Sequence, residues 1–466
     1  MINNIDNNKL FQLTTEAHSF EKNGDYFLFF PMFGLVFRAN NDAVDLLEKI
    51  KLKPIFPTNN KQIQILLYWE ELGLINNHLE KRCSKTVKKN APVSTTLLLT
   101  TSCNFSCIYC YANANHIAEY MDIGIAKAAI DYITRNSLDQ NEDQIYLGIH
   151  GGGEPTFCWS LFVDVVEYFN RSSKDSKLIP NISIGTNGYL DEEQRKFIVR
   201  ETQSATVSFD GMSEEHNFQR PLANGTSTYD CVLDTLKYFD EQKYLYGIRV
   251  TVTNYNVSRL SEFIQFIGET LKCKQVKLEP VFLTGKADNA FNLLPKEIDF
   301  IHNYIKAMVL GRTYNIDVLY SGVGIRNPSS VFCSIGNNFF VTHSGDVTPC
   351  LEVLSKNDIR SKLFFYGNYN KVSKGFEFDI SRLNKLEQIA KNNFDEKCVE
   401  CIARSYCAGD CMAKQSNYID DVSDTSSVWR CNVTQELTKE LLIDLVHNPI
   451  KMIPSTEFEF NSDVYG

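Results

Sequence analysis

Apolar and polar positions recur with two different periods along this 466-residue chain. Between about residues 93 and 311, short β-prone apolar runs take turns with longer stretches whose apolar residues return every three to four positions. The runs at 96–100, 144–150, 181–186, 206–209, 248–253 and 275–279 predict strands. The stretches at 125–134, 159–170, 192–201, 229–242, 260–271 and 295–310 predict amphipathic helices. Strand–helix units in series imply an α/β fold, a parallel sheet with helices outside it. Six such units fall two short of a closed eight-fold barrel, so the expectation is a partial, open (β/α)6 TIM-like barrel. In such folds functional residues gather at the C-terminal ends of the strands.

The flanks read differently. Residues 25–30 and 35–38 predict two strands around a turn at Pro31–Gly34. Asn40 and Asn41 offer a helix cap before an apolar face of Ala43, Val44, Leu46, Leu47 and Ile50. Ile63, Leu66, Leu67 and Leu72 mark a second helix ending at Gly73. Residues 1–89 are therefore expected to form a small N-terminal α+β domain, with a lysine-rich linker at 82–92 leading into the core at 93–311. Residues 326–440 show little apolar periodicity before a helix predicted at 434–447, and 441–466 read as a C-terminal tail.

Composition narrows the function. Lys and Arg number 47 against 57 Asp and Glu, a net charge of −10, which argues against nucleic acid or an anionic membrane as partner. No apolar run approaches the ~18 residues of a spanning helix. The start, MINNIDNNKLFQL, lacks a signal peptide's basic and apolar regions, so a cytoplasmic protein is expected. In that reducing compartment the 14 cysteines are metal ligands, reactive thiols or small buried hydrophobes, not disulfides. Ten fall into two dense motifs; Cys83, Cys158, Cys231 and Cys273 stand apart and read as ordinary residues.

The first motif, TTSCNFSCIYCY at 100–111, places Cys103, Cys107 and Cys110 on a loop leaving a predicted strand. Three thiolates can hold three irons of a four-iron cluster and leave the fourth open to a small chelating molecule. Half a zinc site is the alternative, although zinc favours paired two-cysteine arms. The stretch resembles the radical S-adenosylmethionine (radical SAM) enzymes. After the second strand comes His150-Gly151-Gly152-Gly153-Glu154-Pro155. The resemblance implies that Gly152, Gly153, Glu154 and Pro155 line the methionine amino group of SAM. It implies that Asn187, in Thr186-Asn187-Gly188, helps hold the carboxylate or ribose. Ser208 and Asp210 belong to a Ser-x-Asp-Gly stretch followed by His216 and Arg220, as in peptide and sulfatase maturases. Arg220 is a candidate partner for the SAM carboxylate, a surface ion pair being its other reading. Asp210 can equally cap a turn. Glu279, ending the sixth strand, is expected to point into the barrel.

The second motif spaces Cys333, Gly345 and Cys350, then Cys398-x2-Cys401-x5-Cys407-x3-Cys411, then Cys431. It resembles the SPASM extension of radical SAM maturases, with zinc-ribbon sites as the alternative. The resemblance implies two auxiliary [4Fe-4S] clusters, one on Cys398, Cys401, Cys407 and Cys431, the other on Cys333, Cys350 and Cys411. Some relatives carry an eighth cysteine where this chain has Asn327, so either another residue completes the second cluster or one iron is open. Sulfatase maturases carry an Asp directly after the second of these cysteines. Here Leu351 and then Glu352 follow Cys350. Glu352 is a candidate substitute base, an exposed carboxylate being the alternative.

Together the resemblances imply three [4Fe-4S] clusters and SAM as cofactors, and a ribosomally made precursor peptide with a leader as substrate. The N-terminal domain would bind the leader by strand addition. A flavodoxin- or ferredoxin-type electron donor is implied. The expected reaction is reductive cleavage of SAM to a 5′-deoxyadenosyl radical that starts an intramolecular cross-link, carbon–carbon, ether or thioether. Formylglycine formation is the alternative within the class; an electron carrier and a zinc-dependent binding protein are alternatives outside it. Glu352 and Tyr109 are the candidate catalytic residues, with aromatic packing as the other role for Tyr109 and for Tyr111.

Overall fold

The computed structural model describes residues 9–77, 91–114, 119–288, 290–324, 332–333, 335, 338–414 and 425–448. Cys83, Asn327, most of the expected linker and the tail from 449 lie outside them.

The N-terminal unit begins with three antiparallel strands, β1 (His18–Lys22), β2 (Asp25–Phe30) and β3 (Leu35–Ala39). Helices α1 (Asn41–Leu52) and α2 (Asn60–Glu71) follow. Asn40 caps α1 by accepting from the Ala43 N–H, and Asn59 caps α2 by accepting from Gln62. The strands that pattern predicts are there; β1 is an addition. Successive β2 side chains point to opposite faces. Leu28 and Phe30 pack on Leu46, Leu47, Leu66 and Trp69 of the two helices. Phe27 and Phe29 pack instead on Ile402, Tyr406 and Leu442, far along the chain. Covering on both faces explains why 26–30 is apolar throughout and does not alternate. Trp69 is 1% exposed and meets Phe30 edge-on, at 6.2 Å between centroids. Trp69→Ala should destabilise this unit by about 3–5 kcal/mol, read as a lower melting transition and earlier proteolysis within the first 77 residues.

The central region runs β4 (Ser94–Leu97), α3 (Ile123–Asp139), β5 (Gln144–Ile149), α4 (Trp159–Asp175), β6 (Ile179–Thr186), α5 (Glu192–Glu201) and β7 (Ser204–Ser208). It continues through α6 (Ser213–Gln219), α7 (Tyr229–Glu241), β8 (Leu245–Val252), α8 (Leu260–Thr270), β9 (Gln275–Pro280), α9 (Glu297–Thr313) and β10 (Asp317–Leu319). Strands β4 to β10 are parallel neighbours in chain order. All six predicted strands and six predicted helices are found, mostly one to five residues longer at an end. The pattern missed α6 and the seventh parallel strand, β10, whose three residues are too few to show a period. Strand β4 stops at Leu97, short of the predicted Thr100, because β5 leaves it after the His150 N–H to Leu97 carbonyl bond.

The C-terminal region adds β11 (Phe340–Val341), β12 (Asp346–Thr348), α10 (Ser361–Phe364), β13 (Gly367–Asn370), β14 (Gly375–Phe378), α11 (Ile380–Asn392), α12 (Arg404–Cys407) and α13 (Thr425–His447). It is not a separate sheet: β11 pairs parallel to β4, and β12 to β14 continue antiparallel from there. The strand that leads into the Cys103 loop is thereby flanked on both sides. Gly345 makes the β11–β12 turn at φ +85°, where a Cβ would also lie 2.9 Å from the Tyr369 Cβ. Helix α13 starts nine residues before the predicted 434, so Cys431 lies inside it and not before it. No helix among the described residues is long and apolar enough to cross a membrane.

Candidate functional site

The loop after β4 is held against three other loops at the C-terminal end of the sheet. Gly153 N–H donates to the Thr100 carbonyl at 2.7 Å and Glu154 N–H to Ser102 at 2.9 Å. From the other side, Ser106 N–H donates to Pro221 at 2.8 Å, Ile108 to Gln219 at 3.1 Å, and Ala223 back to Asn104 at 2.9 Å. Lys286 N–H donates to the Cys110 carbonyl at 3.0 Å. Cys103, Cys107 and Cys110 thus sit in a backbone clamp built by the loops after β5, β7 and β9.

The glycines before Glu154 are explained by that clamp. A Cβ on Gly152 would lie 2.5 Å from the Thr100 carbonyl oxygen, and one on Gly153 only 1.8 Å from that of Ser102. Close approach of two backbones, as well as room for a ligand, therefore requires glycine. Gly153→Ala should force the cysteine loop to move and cost about a hundredfold in the SAM cleavage that the sequence resemblance implies, measured as 5′-deoxyadenosine formed under anaerobic reduction.

The polar residues around the loop form two buried networks. The Glu154 carboxylate accepts from Thr156 N–H (3.1 Å) and Oγ1 (2.7 Å), from Thr186 Oγ1 (2.9 Å) and from Asn187 N–H (2.6 Å). Burial raises its pKa, and these donors oppose the rise. Pro155 follows, buried at the start of a short helical turn. Asn187 Nδ2 donates to Asn104 Oδ1 at 2.7 Å and approaches Cys103 Sγ at 3.9 Å. The second network centres on Asp210, fully buried, which accepts from Tyr109 Oη, from Gln219 Nε2 (3.0 Å) and from Thr251 N–H (2.9 Å). Arg220 donates to Tyr109 Oη at 2.6 Å and lies 4.0 Å from Asp210. Arg220 is buried, so the surface ion pair does not apply, and Asp210 does more than cap a turn. Tyr109 is the bridge between them, and burial pushes its phenol well above its ordinary pKa.

Ser208 ends β7 in register with Arg249 of β8, and Arg249 with Lys277 of β9. Glu279, two residues on, is buried and accepts from Ser321 N–H (2.9 Å) and Oγ (2.8 Å), with Lys277 at 3.7 Å. Burial alone would raise its pKa, but Lys277, Arg249 and Lys414 hold it below the usual carboxylate value. Arg249, Lys277 and Glu279 line a cavity with Glu352, Lys414 and the thiol of Cys350. Glu352 is not an exposed carboxylate: its side chain is 15% exposed, 3.6 Å from Lys414. Sequence pattern passed over Arg249, Lys277, Lys414 and Asn104. Charges at Arg249 and Lys277, inside strands that should be apolar on both faces, were the available signal.

The remaining cysteines fall into two groups. Cys333, Cys350 and Cys411 line the same cavity. The Cys350 thiol is pushed well up by burial and by neighbouring Cys411, Glu352 and Cys333. Cys431 is pushed up to about 11 by burial, Asp410, Cys398 and Cys401. Cys407 feels Asp410, Cys431 and Cys401 after burial. Of the cysteines outside the motifs, Cys158 and Cys273 are buried and Cys231 is half-buried.

The donor chemistry fits iron–sulfur clusters. Burial pushes the Cys103 thiol up to about 12 and the Cys107 thiol up to about 11, so bare thiols gain nothing there, whereas metal binding takes their protons. Arg220 places a buried cation beside Cys107 and Lys286 adds one near Cys107, which offsets anionic thiolates. Among the described residues no three His, Cys, Asp or Glu converge on one ion; in an iron–sulfur cluster each thiolate binds a different iron, which needs a wider spacing.

A parallel α/β sheet with three cysteines clamped at its C-terminal end is the arrangement that the radical SAM resemblance leads one to expect. The radical SAM superfamily model matches residues 97–267. The chain is 32% identical over 267 residues to an uncharacterised protein of Methanocaldococcus jannaschii, covering 56% of this chain and 85% of that one. It is 27% identical over 357 residues to a cysteine-type anaerobic sulfatase-maturating enzyme of Clostridium novyi, covering 69% and 88%. Among solved structures, Streptococcus suis SuiB bound to precursor peptide SuiA shares the fold at TM-score 0.51 and 14% identity, over 89% of this chain and 97% of SuiB. The chain belongs to the radical SAM superfamily, enzymes that bind SAM and a [4Fe-4S] cluster.

Proposed function

We propose that this enzyme modifies a ribosomally made precursor peptide and installs an intramolecular cross-link. Cys103, Cys107 and Cys110 would hold the SAM-binding cluster. Cys333, Cys350 and Cys411 would hold one auxiliary cluster, and Cys398, Cys401, Cys407 and Cys431 another, in a SPASM-type domain at 326–440. With cluster and SAM bound, the site supplies reductive cleavage of SAM and a 5′-deoxyadenosyl radical that removes a hydrogen atom from a substrate carbon.

The chain's own residues then have distinct work. Gly152, Gly153, Glu154 and Pro155 shape the loop against which the SAM methionine group lies, with Asn187 beside Cys103. Arg220 is the cation for the SAM carboxylate, and Asp210 with Tyr109 fixes its position. Arg249, Lys277 and Glu279 form the chamber floor under the substrate, with Ser208 in register beside Arg249. Auxiliary clusters next to that chamber suit a reaction that removes two hydrogens in forming a bond, because one electron must leave after the radical step. A flavodoxin- or ferredoxin-type protein is the proposed electron donor. The N-terminal unit is the proposed leader-binding domain: among the described residues β1 and β3 have only β2 as strand partner, and strand addition at one of these edges is the proposed mode.

One observation carries cross-linking over formylglycine formation. Leu351, where sulfatase maturases have their Asp, is buried against Leu98 and Phe340. No base stands at that position. The kinship to the Clostridium novyi enzyme keeps formylglycine formation as the second reading. Anaerobic turnover with a leader-bearing peptide separates them. A product lacking two hydrogens, resistant to proteolysis across the new bond and unreactive to hydrazide, supports cross-linking. A hydrazide-reactive aldehyde at a Ser or Cys supports the other.

A further inference from the structure

We propose that the Glu352 carboxylate is the fourth protein ligand of the cluster on Cys333, Cys350 and Cys411. The inference rests on the auxiliary-cluster reading above. That group has three thiols lining one cavity and no fourth cysteine beside them among the described residues. Glu352 lines the same cavity. Its backbone N–H donates to Cys350 Sγ at 3.4 Å, which ties it to the cysteine two positions before it. Lys414 lies 3.6 Å from Oε1. Oε2 is fully buried and has no hydrogen-bond partner.

A buried anionic oxygen without a donor is costly. Four buried carboxylates of the core do not carry that cost: Glu154, Asp210, Glu279 and Asp410 each have both oxygens engaged. Glu215 also leaves Oε2 unpaired, but it is not among the residues that line this cavity. At Glu352 the unmet oxygen and the unmet ligand position share one cavity. A carboxylate oxygen is a competent iron donor, so one bond satisfies both. Lys414, on the other oxygen, then offsets the charge and orients the carboxylate.

The test uses full-length protein in the Cys103→Ala/Cys107→Ala/Cys110→Ala background, which removes the cluster proposed to bind SAM through an open iron. Cyanide is the probe, and the electron paramagnetic resonance spectrum of the reduced clusters is the readout. The expected parent spectrum is unchanged by cyanide. Glu352→Gln should shift it and make it cyanide-sensitive, or lose about four irons. Glu352→Cys should keep the iron and stay cyanide-inert, because a thiolate can take the carboxylate's place; a general base would show no such rescue. The proposal is overturned if the parent is already cyanide-sensitive, if Glu352→Gln leaves the spectrum unchanged, or if Glu352→Cys loses the iron too. A parent holding well under about eight irons overturns the auxiliary-cluster reading itself, a separable failure.

Discussion

Replacing Cys103, Cys107 and Cys110 together by alanine is expected to abolish reductive cleavage of SAM and to lower bound iron from about twelve to about eight per chain. The loss should be confined to one cluster, because the loop takes its position from the backbone. Thr100, Ser102, Asn104 and Cys110 are clamped through their carbonyls, and Ser106 and Ile108 through their N–H groups. None of those bonds involves a thiol. The triple variant should therefore fold with its sheet and its C-terminal cysteines in place. Iron and acid-labile sulfide after anaerobic purification, with 5′-deoxyadenosine as the activity readout, check both halves. Loss of all iron would mean that the C-terminal cysteines do not keep their clusters when the first one is absent. Zinc without sulfide in the wild type would remove the radical mechanism altogether.

Arg430→Ala should be the most damaging single substitution in the C-terminal region. Its guanidinium donates to both oxygens of Asp410, Nε to Oδ2 at 2.9 Å and Nη2 to Oδ1 at 2.6 Å, and each side chain is 4% exposed. Ala408, Gly409 and Asp410 all have left-handed backbones, with φ of +51°, +86° and +65°. For the two non-glycine residues that conformation is strained and has to be held. The loop lies between Cys407 and Cys411, one from each proposed cluster, and Arg430 adjoins Cys431 on α13. Removing the arginine strands a buried carboxylate among thiolates and should cost about 3–5 kcal/mol. The expected result is loss of most auxiliary iron with the Cys103 cluster retained, read by iron content and thermal melting. Asp410→Asn in the same background should recover part of the stability, because the uncompensated charge is then gone. No recovery would show that Arg430 acts through packing alone.

Local pattern was sufficient for elements whose period is long enough to see. The six central strands and their helices, α1 and α2, and the cap at Asn40 follow from apolar spacing and short-range hydrogen bonding. The two cysteine motifs were equally legible, because spacing between ligands is itself a sequence property. What the spacing did not carry is what the side chains meet. Asp210, Arg220 and Tyr109 are 101 and 111 residues apart in their hydrogen bonds, and no local rule joins them. Short elements were also lost: β10, β11 and β12 hold two or three residues each.

By itself, then, the sequence determined that the chain builds a parallel α/β sheet with three cysteines at the end of its first strand and seven more in a late motif. Tertiary structure alone decided the rest. It put the N-terminal sheet between its own helices and the late cysteine region, through Phe27 and Phe29 on one face and Leu28 and Phe30 on the other. It spliced β11 onto β4, made Gly153 obligatory by bringing Ser102 against it, and turned Glu352 into a cavity with three thiols. The physical reason is the same in each case. Periodicity records which face of an element avoids water, whereas partners across a fold are chosen by packing between segments that the chain itself keeps far apart.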